Sequence, residues 1–540
     1  NPMYPQWQGD DITANPGSNK QACAALDAFA SEGANKGVTD AWNLHYSVIK
    51  AANLIVNGAG NVNGSQEKKN VAFGNAHYWR AYSYFYLVRV FGKIPIITNT
   101  DINQLDAQPA EIAEVYEMIV KDLKDAINEL PTKYDYEPAR LFDVDVWVTK
   151  QAAQSTLAAV YMSMAGYPLN KGTEYYKLAA EQAKDVIDNG FILNPDWKDV
   201  YSMGNNYNKE TLLGINNDAK GWWDHDSQLS SCCRFESLGD GGWGDAWGEI
   251  AFWKRYPEGP RKNAIYAKRI TFQDGTVITA DCNWWDIPTA DLWVPITMKT
   301  DAKELEKQIK GLDEKIEKEK DNEKKTVRKV NGKYEKLLFE KGKKCVKEYH
   351  PMFTIFTVNC DEKGGMLRQP YDCMKPNYSG MVNDRRHNLI RYSEVLLWYA
   401  ESAARAGLDL SEAKYYLKLV RQRAVNSADV DKVTLSDGSI VNIDNMNAAQ
   451  LAEACYIEHG WEVAGNWVSM VTRRADELRM DELKKNFEYR VTNAPIVVAK
   501  EGDKEYTAQE SVTVTGPWSE DRIYCPYPTT DGEKNPNLRH

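Results

Sequence analysis

Long apolar runs are missing from this sequence. No window reaches the roughly 18 apolar residues that mark a membrane-crossing helix. The nine cysteines include no C-x-x-C pair, which removes zinc-ribbon spacing, and an odd number cannot all pair within the chain. The seven histidines show no H-x-x-x-H or H-x-H spacing, so no histidine-based metal centre is expected. There is no G-x-S-x-G elbow, P-loop or H-E-x-x-H, so no catalytic motif stands out. Basic residues are outnumbered: 66 Lys and Arg face 77 Asp and Glu, a net charge of −11. Nucleic acid is thereby excluded as the main partner, because binding it needs a basic footprint. The opening "NPMYPQWQGDD" is neither a signal peptide nor a lipid-attachment sequence. Either the chain is cytosolic or its export signal lies upstream.

What the sequence does have is hydrophobic content and aromatic rings. At 43% hydrophobic residues, 540 residues can bury a sizeable core. Eight of its 17 tryptophans fall between Trp222 and Trp293, a concentration that evenly distributed core residues would not produce.

Helical periodicity dominates the two ends. Residues 40–58 place Trp42, Tyr46, Ile49 and Asn53 on one face, with Asp40 as the expected N-cap. Helices are predicted over 66–91 and 111–130, ended by Gly92 and Pro131. Residues 151–190 read as helix, glycine turn, helix, with small residues at Ala152, Ala158, Ala159, Ala179 and Ala183. A similar unit recurs at 392–424. These units resemble tetratricopeptide hairpins, which stack to share one core. The predicted fold is mostly α: a tetratricopeptide-like helical-repeat scaffold of three or four helix pairs, carrying a large loop-rich, short-strand insertion that binds ligand. The expected division is 1–190 and 386–480 as scaffold, 191–385 as the binding region and 481–540 as an irregular C-terminal segment, all in one compact body.

Within the insertion, "TLLGIN", "YAKRITF" and "GTVITA" read as strands. Residues 301–350 differ in character, forming a charged surface excursion. Leu305, Ile309, Leu312 and Ile316 make an a/d-type seam too short for a stable coiled coil, followed by a hairpin turn at Asn331-Gly332. A second hairpin is predicted at Asp437-Gly438.

A sugar ring presents a C–H face and an edge of hydroxyls. Flat aromatic rings cover the first at low entropic cost, and carboxylate, amide or guanidinium groups fix the second. "GWWDHD" (221–226) and "DCNWWDIPTAD" (281–291) hold both parts side by side. The candidates are Trp222, Trp223, Trp284 and Trp285, with Asp224, then Trp243 and Trp247 at the mouth of a helix. Because adjacent residues of an extended segment point to opposite faces, the competing expectation is that one ring of each pair packs inward. Three consecutive ligands do not converge on one ion, so Asp224, His225 and Asp226 are not read as a metal site. Trp42, Trp79, Trp147 and Trp398 sit on apolar stripes and are expected in the core. Arg385 or Arg386 could reach the ligand.

Four blocks carry a family resemblance. "AFGNAHYWRAYSYFYLVRVFGKIPIITNT" (72–100) resembles the R-A-x-x-Y-F-x-L-V-x-x-F-G-x-x-P helix of the SusD/RagB nutrient-binding lipoproteins, through Arg80, Ala81, Phe85, Leu87, Val88, Phe91, Gly92 and Pro95. "NLIRYSEVLLWYAESAARAG" (388–407), "GGWGDAWGEIAFWKRYPEGPRK" (241–262) and "YCPYPTTDGEKNPNL" (524–538) are similar to further blocks of that family, in the right order. The block at 458–473 keeps Glu458, Glu462, Gly465 and Arg473 but lacks the family's inner arginine and aspartate, and the excursion 301–350 is not part of the common pattern. The resemblance implies non-catalytic capture of oligosaccharide at the bacterial cell surface. It further implies an outer-membrane anchor through an N-terminal lipid not present in this chain, and a SusC-like TonB-dependent transporter as partner. It implies no cofactor, and it places Asp10, Asp11 and Asn15 facing the ligand, with Trp7 as a further candidate. A peptide-capturing relative is the alternative within the family. A glycoside hydrolase is the alternative outside it, and would need a carboxylate pair about 5–10 Å apart that nothing in the sequence singles out.

Overall fold

Helix α1 (Lys36–Asn57) starts at Asn35, whose side chain accepts from the N–H groups of Gly37 and Val38. It begins ahead of the expected Asp40 because Asn35 already satisfies its first donors. Ser65 caps α2 (Gln66–Phe91), which ends at Gly92 with φ 71°. Then come α3 (Ile112–Glu129), α4 (Lys150–Ala165, capped by Thr149) and α5 (Thr173–Ile187). The last scaffold helices are α6 (Tyr392–Ala406), α7 (Leu410–Gln422) and α8 (Ala448–Val463). In the computed structural model the described residues are 7–17, 21–58, 63–100, 105–202, 205–217, 227, 229–233, 244–267, 269–274, 277–286, 292–296, 298, 301–321, 325–339, 350–356, 365–366 and 385–539.

Each helix from α1 to α5 packs on the next, and α5 then packs on α6 although the whole insertion separates them in sequence. α6 in turn contacts α7 and α8. The result is the tetratricopeptide-like scaffold, mostly helical, with one continuous apolar core running from Leu26 and Val38 through Phe85, Leu157 and Ala183 to Leu396 and Leu451. Buried alanines let α4 and α5 approach closely. Arg80 crosses three helices: its guanidinium grips Asp122 of α3 with two hydrogen bonds of 2.7 and 2.8 Å and donates to Asn53 of α1 at 2.8 Å.

The insertion is pinned at its neck. Strand Thr211–Ile215 pairs antiparallel with His387–Arg391, the strand that runs directly into α6. Two of the expected strands, Arg269–Asp274 and Val277–Cys282, pair antiparallel with each other. The excursion is a lobe of its own. Helix Ala302–Lys320 contacts the strand Val327–Val330, which pairs with Lys333–Phe339 around Asn331 and Gly332, at φ 50° and 77°. Leu292–Pro295 adds a third strand. The seam Leu305, Ile309, Leu312 and Ile316 is half-buried, and the Tyr334 hydroxyl donates to Asp313 at 2.8 Å.

Residues 481–540 depart from the irregular segment expected of them. They hold a helix, Leu483–Thr492, and a hairpin, Ile496–Glu501 with Lys504–Ala508, whose alternating "IVVAKEGDKEYTA" is a two-strand pattern around Gly502. The hairpin at Asp437-Gly438 forms as expected, between Lys432–Thr434 and Ile440–Asn442. Among the described residues no helix is long and apolar enough to cross a membrane.

Candidate functional site

The amino-terminal segment is threaded through the interior. Strand Ile12–Ala14 pairs with Ala246–Gly248, and Trp7 lies buried edge-on to Trp467 at 5.7 Å. Asp10 is bound by Arg473 at 2.8 Å and by Arg255. Burial alone would raise the Asp10 carboxyl, but these two guanidinium groups override it and hold it below the ordinary carboxylate range. Asp11 accepts the N–H of Gly465 at 2.8 Å, and burial, only partly offset by that hydrogen bond, pushes its carboxyl up to about 6. The Asn15 side chain accepts from the N–H of Gly17 at 2.9 Å, closing a local turn. Arg385 is buried and donates to the Tyr201 carbonyl. Trp7, Asp10, Asp11, Asn15 and Arg385 were expected at a ligand. In the structure Trp7, Asp11, Asn15 and Arg385 are buried and Asp10 is partly buried; Asp10, Asp11 and Arg385 join chain segments, and Asn15 closes its local turn.

The block at 458–473 is secured by arginines from elsewhere. Glu462 accepts from Arg391 and Arg261, each at 2.7 Å, from Arg423 at 3.2 Å and from the Trp197 indole at 3.1 Å. Glu458 pairs in charge with Arg261 at 2.8 Å and accepts from Arg421. Burial would raise the Glu462 carboxyl, yet Arg391, Arg261 and Arg423 together drive it well below its ordinary range. Arg261 and Arg391 belong to the two blocks "PEGPRK" and "NLIRYSEV", so these stretches pair with each other through the carboxylates of α8.

The paired tryptophans at 284–285 divide. Trp284 is buried, edge-on to Trp253 at 5.1 Å and to Trp285 at 5.4 Å. Trp247 is also buried, stacked on His350 at 4.9 Å and 24°. Neither offers a free face, which corrects the expectation that they meet ligand: both fill the small core formed with Met352 and Val498. Trp285 and Trp253 stay half-buried, with ring centroids 5.6 Å apart and tilted by 47°. Polar groups flank them. Asp286 lies 3.7 Å from the Lys504 ammonium and 3.5 Å from the Tyr506 hydroxyl, and the Lys262 ammonium sits 4.5 Å above the Trp253 ring. Two adjacent indoles edged by a carboxylate and ammonium groups match the chemistry of a sugar face and its hydroxyls. Sequence reasoning passed over Trp253, which reads as one side of a short helix; its only signal was membership of the tryptophan concentration. Trp222, Trp223, Asp224 and Trp243 lie outside the described residues.

One further tryptophan departs from its predicted place. Trp42 and Trp398 are buried as expected and Trp79 is half-buried against the main core, whereas Trp147 is 37% exposed. Trp147 precedes the Thr149 cap, so it lies on a loop and not on the stripe of α4. His77, Asp122 and Asp125 bring potential metal-ligating atoms within 4.8 Å of one another. Asp122 gives both oxygens to Arg80 and His77 contacts Glu129 at 2.7 Å, so this cluster is neutralised by protein groups.

Two family models match along the chain. One, described as starch-binding and associating with the outer membrane, covers residues 7–162; the other, the SusD family, covers residues 273–540. The chain belongs to the SusD/RagB family. A SusD-like protein from Bacteroides ovatus is 30% identical over 250 residues, 43% of each chain. SusD-like protein P2 from Formosa agariphila is 31% identical over 192 residues, 34% of this chain and 35% of the relative. The chain thus matches under half the length of either relative. Among solved structures, a protein crystallised with xylogluco-oligosaccharide superposes at a TM-score of 0.65 and 20% identity, covering 100% of this chain and 95% of that one. Surface glycan-binding protein A from Bacteroides uniformis gives 0.61 and 17%, covering 100% and 92%. These share the fold. In this SusD/RagB chain, the motif residues Arg80, Arg261, Arg391, Glu462 and Gly465 fasten the scaffold, the insertion and the amino-terminal segment to one another.

Proposed function

We propose that this SusD/RagB protein is a non-catalytic binder of oligosaccharide at the cell surface. It presents captured glycan to a SusC-like TonB-dependent transporter and is anchored in the outer membrane by a lipid upstream of this chain. The Trp253–Trp285 pair carries the reading: two half-buried indoles beside Asp286, Lys504 and Tyr506. Trp222, Trp223, Trp243 and Asp224 stay candidates on their sequence chemistry alone. The relatives support the ligand class, one structural relative having been crystallised with xylogluco-oligosaccharide.

The test is calorimetric titration with starch, xyloglucan, galactomannan, arabinoxylan, mixed-linkage glucan and a peptide library, on wild type, Trp285→Ala and Trp222→Ala/Trp223→Ala. Saturable heat with one neutral glycan, reduced at least tenfold in affinity in Trp285→Ala, supports the reading. Heat from peptides alone, or shortening of the glycan on long incubation, replaces it with peptide capture or hydrolysis.

A further inference from the structure

A large cavity lies away from Trp253 and Trp285. It is a groove of about 1270 Å³ between the first half of α2 and the loop of residues 131–148. Glu67, Val71, Asn75 and Trp79 follow one another at four-residue steps along α2 and line one wall. The other wall is aromatic. Tyr134 is buried, its hydroxyl donating to the Val148 carbonyl at 2.7 Å. Tyr136 and Trp147 stand edge-on against it at 5.8 and 5.9 Å, and against each other at 6.2 Å. Each edge-on contact covers only part of the rings that make it, and Tyr136 and Trp147 are 44% and 37% exposed.

We propose that this groove is a second saccharide site, taking several units of a neutral glycan chain. The proposal rests on the glycan reading above and extends it to the scaffold. Three observations select the ligand. The Trp147 and Trp79 indole N–H groups and the Tyr136 hydroxyl donate to no protein group among the described residues, so stacking surface and hydrogen-bonding atoms occur on the same rings. The charges lining the groove nearly cancel, with Lys68 and Lys133 against Glu67, Glu129 and Asp135, which suits an uncharged polyhydroxyl chain better than a polyanion. Its volume exceeds the roughly 300–1,000 Å³ of a compact small-molecule pocket, leaving room for consecutive sugar rings. The aromatic wall is also pre-organised. Asp145 accepts the Tyr134 N–H at 2.9 Å and the Arg140 guanidinium at 3.1 Å, so little loop ordering remains to be done on binding.

Incorporation of 5-fluorotryptophan, with the Trp147 fluorine resonance assigned through Trp147→Phe, reads the groove directly. The probes are the same five polysaccharides. The expected result is a saturable shift of the Trp147 resonance, retained in Trp285→Ala, and a fall of about 3–10-fold in polysaccharide affinity in Tyr136→Ala, the worth of one aromatic contact. Tyr136 is exposed enough for the variant to fold, and circular dichroism checks that it does. Glycan binding that leaves the Trp147 resonance unmoved overturns the second site while the function reading stands. No glycan binding by wild type overturns both.

Discussion

Arg391 and Glu462 meet at 2.7 Å where solvent reaches neither side chain. Around them Arg261, Arg421 and Arg423 face Glu210, Glu394 and Glu458, so four guanidinium groups balance four carboxylates. The cluster joins the strand before α6, the insertion and α8 at a single electroneutral point. Buried charges are tolerated only when such balance is complete.

Glu462→Gln removes one charge from that balance and leaves Arg391, Arg261 and Arg423 sharing a neutral amide. Breaking a buried pair costs about 3–5 kcal/mol. Urea unfolding should show that loss, and added salt should not restore it, because screening ions do not reach the interior. A loss under about 1 kcal/mol would mean that water relaxes the cluster.

Gly465 has φ 70°, and a Cβ there would lie 2.3 Å from the Phe353 ring. Gly465→Ala adds backbone strain of about 1–3 kcal/mol to overpacking of similar size. Its thermal midpoint should fall by several degrees, and Phe353→Leu in the same chain should return part of the loss by opening the ring's space. No recovery in the double variant would place the cost in the backbone alone.

Asp11 titrates near 6 in the folded protein because it is buried. Its folded value is above the ordinary 3.8, so its favourable contribution is full below that pH and is lost as pH rises through about 6. Asp11→Asn keeps an oxygen for the Gly465 N–H without the charge. At pH 7.5 the variant should be more stable than wild type by up to about 3 kcal/mol, which is what moving a carboxyl from 3.8 to about 6 is worth. The gap should close by about pH 4, where both forms are neutral in the folded chain. A gap independent of pH would refute the titration.

Arg80 grips Asp122 through a two-pronged contact and Asn53 through a third bond. Arg80→Lys retains the charge but cannot span all three acceptors. A loss of about 1–3 kcal/mol is expected, as for one charge-assisted hydrogen bond left unmade. Hydrogen exchange should quicken in α1 and α3 together, since both hang on this residue. Protection unchanged in either helix would show that apolar packing alone holds it.

The helical hairpins were legible because their period is local: Trp42 and Ile49 declare a face within two turns. The excursion's turn was legible too, since Asn331-Gly332 suits positive φ. The site was less so. Asp10 looks like a free acid until Arg473 arrives from the other end of the chain. Trp147 follows an apolar stripe, yet it stands just outside the helix, ahead of the Thr149 cap. The Trp284–Trp285 pair left open whether one ring turns inward, and which one does depends on Trp253, Met352 and Val498, all remote in sequence.

The neck formed by Thr211–Ile215 and His387–Arg391 makes the scaffold a socket. It holds both ends of the insertion in one ladder just ahead of α6, where α5 waits to be covered. Doubling the length of a loop whose ends are held costs only about 0.6 kcal/mol. The insertion can therefore grow, shrink or change its aromatic face while the helices keep their register. A transplanted cassette would need two strands of matching alternation and one arginine placed, like Arg261, to meet Glu462.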